Sequence, residues 1–268
     1  MGNAILNEKE FHGFKQLIFD RAGIHMSNAK KPLVSGRLAK RLLQRGLDTY
    51  SDYLHLIQQD QAERQTAIDL LTTNETYFYR EPKHFEFLSS QIAPALRQQS
   101  EVRIWSAACS SGEEPYTLAM VLAEALGHTR FDILASDIST RVLETARQGL
   151  YPIEDAANIP KSTKARYCLK GVGSQEGWFL VDKPLRDKVS FDQINLNERL
   201  PDVGLFDVIF LRNVMIYFSV DTKKAVMARM VAQLKPGGWF FISHSESLHG
   251  VTDQLQMVRP SIYRKRPD

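Results

Sequence analysis

Two glutamates stand where an apolar run passes into a helix-like segment. In "RIWSAACSSGEEPYTLAMVLAEAL", residues 103–126, the run leads through a string of tiny residues to an amphipathic stretch that opens with Glu113 and Glu114. Small residues between a strand and a helix let a ligand approach the backbone closely. The turn lacks both G-x-G-x-x-G and the G-x-x-x-x-G-K-[ST] of a phosphate loop. An acidic pair at a helix start would also repel pyrophosphate where dinucleotide sites place it. The chemistry that fits is recognition of a nucleoside without phosphates, or of a cationic ligand.

The next β-like run, FDILASD, ends in Asp137, where an acidic side chain can take both hydroxyls of a ribose. Adenosine without phosphate near acidic groups points to S-adenosylmethionine, whose sulfonium and ammonium are both positive. Plainer roles stand beside this one. Glu113 and Glu114 suit any helix N-terminus, and Asp137 can cap the helix that follows Ser139.

The elements that must position these groups change character along the chain. Residues 8–72 show helical periodicity, with Phe11, Phe14, Leu17 and Ile18 on one face and Leu38, Leu42 and Leu43 on another. From about residue 100, strands (VRIWSAA, FDILASD, FDVIFLRN, GWFFISH) alternate with helices starting near Pro115, Ser139 and Val220, which predicts a mostly parallel sheet covered on both faces. Residues 150–195, with Gly171, Gly173, Gly177 and the runs WFLV and KVSF, interrupt the rhythm as a small antiparallel insertion. The tail LQMVRPSIYRKR is expected to add a last strand running against the others.

With 268 residues, 43% apolar and 24% charged, the chain can bury a core without staples. Two cysteines, Cys109 and Cys168, are too few for a disulfide framework or a four-ligand zinc site, so no metal is expected and a reducing compartment is. A net charge of +3 does not mark a nucleic-acid binder. The start MGNAILNEKEFHGF lacks a signal-peptide pattern, Leu6 spoils the myristoylation pattern after Gly2, and no run is long enough to span a membrane. A cytoplasmic location is expected.

Three further stretches, "TTNETYFYRE" (72–81), "INL" (194–196) and "FLRNVMIYF" (210–218), accompany "SAACSSGEEPY" (106–116). In this order the four motifs closely resemble those of the chemotaxis receptor glutamate methyltransferases, the CheR family, over nearly the whole chain. The resemblance implies an α/β fold: a Rossmann-like class I methyltransferase domain (73–268) with a small antiparallel β insertion at about 150–195, preceded by a small all-α receptor-recognition domain (1–72). It implies a protein-glutamate O-methyltransferase that takes S-adenosyl-L-methionine, releases S-adenosyl-L-homocysteine and forms glutamate methyl esters on chemoreceptors in chemotactic adaptation. Carried over by motif, the cofactor-binding positions are Asn74, Thr76, Arg80, Glu113, Asp137, Asn195, Leu196, Arg212 and Asn213. Glu75 and Tyr77, where the family pattern varies, receive no role.

Methyl transfer from a sulfonium to a carboxylate is an in-line displacement, and a glutamate of ordinary pKa, about 4.3, is already ionised at neutral pH. No general base is needed; the site must align the reactants and exclude water. Arg80 and Arg212 are the cationic candidates, one to hold the cofactor's carboxylate and either to steer the incoming glutamate. Tyr217 can donate a hydrogen bond while its ring walls off water, against the plainer role of capping the core beside Phe218. Arg80 and Tyr217 are expected nearest the chemistry. Cys109 is read as a packing residue and His244 in "ISHSES" as a structural histidine.

Between Lys30 and Gly46 lie six basic residues and no acidic one. Arg37, Arg41 and Arg45 repeat every fourth residue, so with Lys40 they are expected to attract a glutamate-rich surface such as receptor cytoplasmic helices. Aromatic residues do not interleave with these charges, which argues against nucleic acid. The insertion "LKGVGSQEGWFLV" (169–181) matches the region that grips a receptor C-terminal peptide in some family members, and sheet-edge extension is a plausible means. No direct membrane insertion is expected, and the enzyme is expected to act as a monomer. Two other readings stay open: a methyltransferase of the same fold acting on RNA or another protein, and a silent scaffold that binds S-adenosylhomocysteine and a receptor without turnover.

Overall fold

In a computed structural model describing residues 4–127 and 131–267, the strand and helix alternation becomes a seven-stranded sheet with helices on both faces. The Gly2 reading and the outermost ends of the two expected domain ranges lie outside the described residues. Among those described, no helix is long and apolar enough to cross a membrane.

Four helices come first: α1 (Glu8–Ala22), α2 (Lys31–Arg45), α3 (Tyr50–Gln59) and α4 (Gln61–Leu71). Asn7 and Glu10 close a capping box at the start of α1, and Gly23 ends it in the left-handed conformation. Phe11, Phe14 and Ile18 bury with Leu38 and Leu42 of α2 and Tyr50 and Tyr53 of α3 in one apolar cluster. Leu43, expected on that face, is 65% exposed. One residue beyond Leu42, it points about 100° away around the helix.

After α5 (Pro82–Phe87) and α6 (Ala93–Leu96), the chain lays down β1 (Val102–Ala107), α7 (Glu113–Leu126), β2 (Phe131–Asp137) and α8 (Thr140–Gln148). It then builds a separate antiparallel sheet, ordered β3-β5-β4, from β3 (Leu150–Pro152), β4 (Cys168–Lys170) and β5 (Trp178–Val181), with α9 (Lys161–Tyr167) and α10 (Lys183–Arg186) beside them. The main sheet resumes with β6 (Val189–Gln193), β7 (Phe206–Leu211), α11 (Val220–Ala232), β8 (Leu234–Phe241), β9 (Leu255–Arg259) and β10 (Ile262–Lys265). Its order is β6-β2-β1-β7-β8-β10-β9, with the first five strands parallel.

One local expectation needs correction, and the tail adds a strand to the antiparallel one expected of it. WFLV does form β5 of the insertion, but KVSF supplies β6, which pairs in parallel with β2 at the edge of the main sheet. A short β-prone run carries no mark of its partner, and only the returning chain path decides it. The tail forms two strands, β9 and β10, with β10 antiparallel to both β9 and β8.

Period-two alternation sends Ile104, Val208, Phe210 and Phe241 to one face of the sheet, where Phe210 and Phe241 stack 4.2 Å apart. Trp105, Ile209 and Phe240 go to the other face, against Val226 and Met230 of α11. Full burial of each such side chain contributes roughly 1.5–3 kcal/mol. Because β1 lies between β2 and β7, the chain leaves it first to one side and later to the other, which opens a crevice at the carboxyl ends.

The four-helix unit is tied across that crevice. Asp69 of α4 accepts from the Thr140 amide (3.0 Å) and hydroxyl (2.7 Å) at the start of α8, and Gln65 donates to the Ile138 carbonyl. Asn195 Nδ2 donates to the Arg21 carbonyl at 2.6 Å, and Ile24 forms a β-bridge with Phe218.

Candidate active site

The crevice holds a cavity of about 320 Å³, within the range of small-molecule sites. Its walls come from the ends of β1 (Ala108, Cys109, Ser110), β2 (Asp137, Ile138) and β7 (Arg212, Asn213, Tyr217), from the segment after β6 (Ile194, Asn195, Leu196), and from the extended stretch holding Asn74, Thr76 and Arg80. Of the sequence-predicted cofactor and catalytic positions, all line this one cavity except Glu113.

Glu113 is turned away. It is 6% exposed, accepts from the Ser111 hydroxyl, and burial pushes its carboxyl above the ordinary range. Its neighbour Glu114 lines the cavity instead and accepts from Arg212 Nη1 at 2.9 Å. Adjacent helix residues diverge by about 100°, so only one of the pair can face the ligand. Gly112, at φ 99°, is required for packing: a Cβ there would lie 2.8 Å from the Tyr151 hydroxyl and 2.9 Å from Ala146 Cβ. Cys109 is buried, which pushes its thiol well up and leaves it inert.

Arg212 is the hub. Buried among charges, it gives Nη1 to Glu114 and Nη2 to the Arg80 carbonyl (2.6 Å), and Nη2 lies 3.2 Å from Glu81 Oε2. Burial, the largest single influence, opposes ionisation of Glu81, yet the charge and hydrogen bond of Arg212, with His84 and Ser243, together hold that carboxyl below its ordinary value. Among the described residues Arg212 Nε has no partner although it is buried. Arg80 bends back on its own segment, donating to the Glu75 carbonyl with its cation 5.6 Å from the Tyr77 ring centre.

Asp137 meets both of its sequence readings. It lines the cavity, and its two oxygens accept from the amides of Ser110 and Ser139 at 2.9 Å each, the latter at the start of α8. Burial pushes its carboxyl up despite those bonds. Ser110 (φ 51°) and Ala108 (φ 59°) are left-handed non-glycine residues, as are Asn213, Tyr79 and Glu81 nearby. Such strain costs on the order of 1–3 kcal/mol per residue and persists only where the surroundings impose it. Here the imposing bonds are Ser110 to Asp137 and to the Asn74 carbonyl, and the ties of Asn213 to Ser243 and Glu246.

Glu246 escaped the sequence reading. Its carboxylate accepts from the amides of Asn213, Ile216 and Ser243, which clamps the segment carrying Arg212 and Tyr217. The signal was available: Ser243-x-x-Glu246 has the spacing of a capping box. The cavity wall from the helical unit, including Ile24, His25, Met26 and Leu71, left no such signal.

Tyr217 lines the cavity with no hydrogen bond to its hydroxyl among the described residues, while its carbonyl accepts from the His25 amide. Phe218, 8% exposed, is the neighbour that closes the core. Asn195 is committed to Arg21 and to the Asn197 amide, and the Leu196 carbonyl accepts from Arg229.

Part of the basic face of α2 is tied up inside the helical unit. Arg41 forks onto Glu63 (2.7 and 2.6 Å), Arg45 lies 3.5 Å from the same carboxylate, and Arg37 donates to the carbonyls of Leu71 and Thr72. Lys40 stays exposed. Glu63 comes from α4, so sequence spacing along α2 could not reveal the pairing. Arg41→Ala should destabilise the protein by on the order of 2–3 kcal/mol, because it strips a 3% exposed carboxylate of its fork. The Arg41 hydrogen bond holds Glu63 below its ordinary 4.5, so this contribution is present above pH 4.5 and fades as pH falls through the lowered value. Thermal melts at pH 7 and pH 3 check it: the gap between wild type and Arg41→Ala should narrow in acid.

The residues fit S-adenosylmethionine. Arg212, with its unpartnered Nε, suits the amino-acid carboxylate; Glu114 and Asp137 suit ammonium and ribose hydroxyls; Ile138, Ile194 and Leu196 offer an apolar wall to adenine. Comparison with known proteins agrees. The family model "CheR methyltransferase, SAM binding domain" matches residues 74–264, and "CheR methyltransferase, all-alpha domain" matches residues 9–72. A chemotaxis protein methyltransferase of Salmonella typhimurium is 40% identical, over 98% of this chain and 92% of that protein. One from Borreliella burgdorferi is 38% identical over 98% and 96%, and chemotaxis protein methyltransferase 2 of Pseudomonas aeruginosa is 40% identical over 95% and 92%. The chain belongs to the CheR methyltransferase family and is a methyltransferase that uses S-adenosylmethionine.

Proposed function

We propose that the chain methylates glutamate side chains on the cytoplasmic helices of chemoreceptors, with the roles of individual residues as follows. The observation that carries the reading is a single cavity at the strand ends with a buried arginine, two acidic side chains and a half-buried tyrosine on its walls. Bound there, S-adenosylmethionine supplies an electrophilic methyl group on a positive sulfur. The chain itself supplies no base, because the carboxylate nucleophile is already ionised.

Arg212 orients the amino-acid end, pre-set by Glu114 and the Arg80 carbonyl. Asp137 and the strained Ala108–Ser110 bend shape the ribose side, and Asn74 and Thr76 close it from the opposite strand of chain. Asn213 and Glu246 hold the Arg212–Tyr217 segment at its set distance. Arg80 and Tyr217, both partly exposed on the cavity wall, are assigned to the incoming glutamate: Arg80 draws in a carboxylate and Tyr217 hydrogen-bonds it while the ring excludes water. Since a tight grip would blunt the nucleophile, a single neutral donor such as Tyr217 suits the final position better than a second cation.

The helical unit, residues 1–72, is assigned to receptor contact, with Arg37, Lys40, Arg41 and Arg45 as its basic face, of which Lys40 and Arg45 are the exposed members. The three-stranded sheet leaves Leu169, Val172 and Trp178 exposed, as a receptor peptide tether would require. The enzyme works in the cytoplasm, as a monomer. Mass spectrometry of receptor cytoplasmic fragments incubated with enzyme and S-adenosylmethionine tests the reading. A gain of one methyl mass on glutamates supports it, and methylation of RNA in place of the fragments overturns it. Tyr217→Phe should lower kcat about tenfold with S-adenosylhomocysteine affinity unchanged, and unchanged turnover would remove the hydroxyl from the mechanism.

A further inference from the structure

Behind Arg212, three side chains from distant parts of the chain converge: Glu81 before α5, His84 within it, and His244 after β8. One ligand atom of each lies within 4.8 Å of the other two, and Glu81 Oε2 is 3.4 Å from His84 Nδ1 and 3.9 Å from His244 Nε2. Ser261 touches both rings. When its hydroxyl donates to the Pro260 carbonyl, which can only accept, the Ser261 oxygen is left to accept from its other neighbours. Those neighbours are His84 Nε2 at 2.6 Å and His244 Nδ1 at 3.0 Å. In that arrangement each neutral ring carries its proton toward Ser261 and turns a lone pair toward Glu81.

Three acceptors thus point at one space. His84 is fully buried, and its Nδ1 has no hydrogen-bond partner among the described residues, a desolvation cost that a bound cation would offset. We propose that Glu81, His84 and His244 form a binding site for a divalent transition metal of the zinc class. Two imidazoles and a carboxylate are a zinc donor set, whereas calcium and magnesium take oxygen ligands. Metal–ligand bonds of about 2.0–2.1 Å put tetrahedral ligand atoms about 3.3 Å apart, which the 3.4 Å pair already meets. His244, 45% exposed at its side chain, is free to close the remaining distance and leaves an open position toward solvent. Ser261 supplies the outer hydrogen bond that ligating histidines characteristically make.

Arg212 Nη2 shares Glu81 Oε2 at 3.2 Å, which weakens but does not block the site. A carboxylate has about four lone-pair positions, and Arg212 keeps Glu114 and the Arg80 carbonyl when Glu81 turns to an ion. An ion here would staple α5 to the loop after β8 directly behind the cofactor cavity. The absence of metal expected from the cysteine count did not reach these ligands, two of which stand 160 residues apart in sequence, from 84 to 244.

Full-length protein freed of metal by chelator and dialysis should be titrated with Zn²⁺ against a zinc-sensitive dye, and with Co²⁺ followed in the visible. A single strong site, a tetrahedral-type Co²⁺ band and a thermal midpoint raised by Zn²⁺ are expected. His244→Ala, at a half-exposed position, should weaken Zn²⁺ at least about tenfold and abolish the band, with circular dichroism unchanged; Ser261→Ala should weaken it about 10- to 100-fold. Absence of a stoichiometric site, or equal Zn²⁺ affinity in wild type and His244→Ala, would overturn the proposal.

Discussion

Arg212→Ala is expected to abolish measurable turnover and to weaken S-adenosylhomocysteine binding about 30- to 150-fold, the loss of about 2–3 kcal/mol of charge-assisted hydrogen bonding. The same change should destabilise the fold by about 3–5 kcal/mol, because Glu114 and Glu81, 13% and 16% exposed at their side chains, lose their shared cation. These effects have separate readouts, calorimetry on the folded protein and thermal unfolding. Arg212→Lys sharpens the distinction. An ammonium restores the charge but cannot reach Glu114, Glu81 and the Arg80 carbonyl together, so stability should recover in part while affinity stays low. Wild-type affinity in Arg212→Ala would make Arg212 a structural residue only.

The second large effect is expected at Asp137. Asp137→Ala leaves the buried amides of Ser110 and Ser139 without acceptors, each worth about 1–3 kcal/mol, and releases the strained bend at Ala108 and Ser110. Cofactor affinity should fall about 100-fold and the thermal midpoint with it. Asp137→Asn keeps one carbonyl oxygen for one amide and sets its NH2 against the other, so stability can return only in part, while the charge that faces the ligand is lost. If its stability returns toward wild type while its affinity remains low, Asp137 contacts the ligand. Should both recover together, Asp137 serves only as the cap of α8, and the ribose assignment is wrong.

Much of the site was legible because its chemistry is written in short runs. Asn74, Thr76 and Arg80 share one extended stretch, and Arg212, Asn213 and Tyr217 share another, so a motif delivered each set whole. Spacing alone did not fix a side chain's surroundings where its direction depended on phase. Glu113 and Glu114 are equivalent as sequence, yet one is buried against Ser111 and the other meets Arg212. The arginines of α2 followed the same rule. Their spacing correctly put them on one face of the helix, but α4 brings Glu63 to that face, where it takes the fork of Arg41 and the approach of Arg45.

By itself the sequence determined the order of strands and helices, the polar residue types available at strand ends, and the family to which those motifs belong. Periodicity suffices for this because it reports how each element is divided between apolar and polar sides. Only the tertiary structure decided that KVSF pairs with β2, that the helical unit forms one wall of the cavity, that Glu246 clamps the Arg212 segment, and that Glu81, His84 and His244 converge. Each of these is a contact between elements far apart along the chain. Local spacing orients a side chain relative to its own element, and what stands opposite is set by how the elements pack.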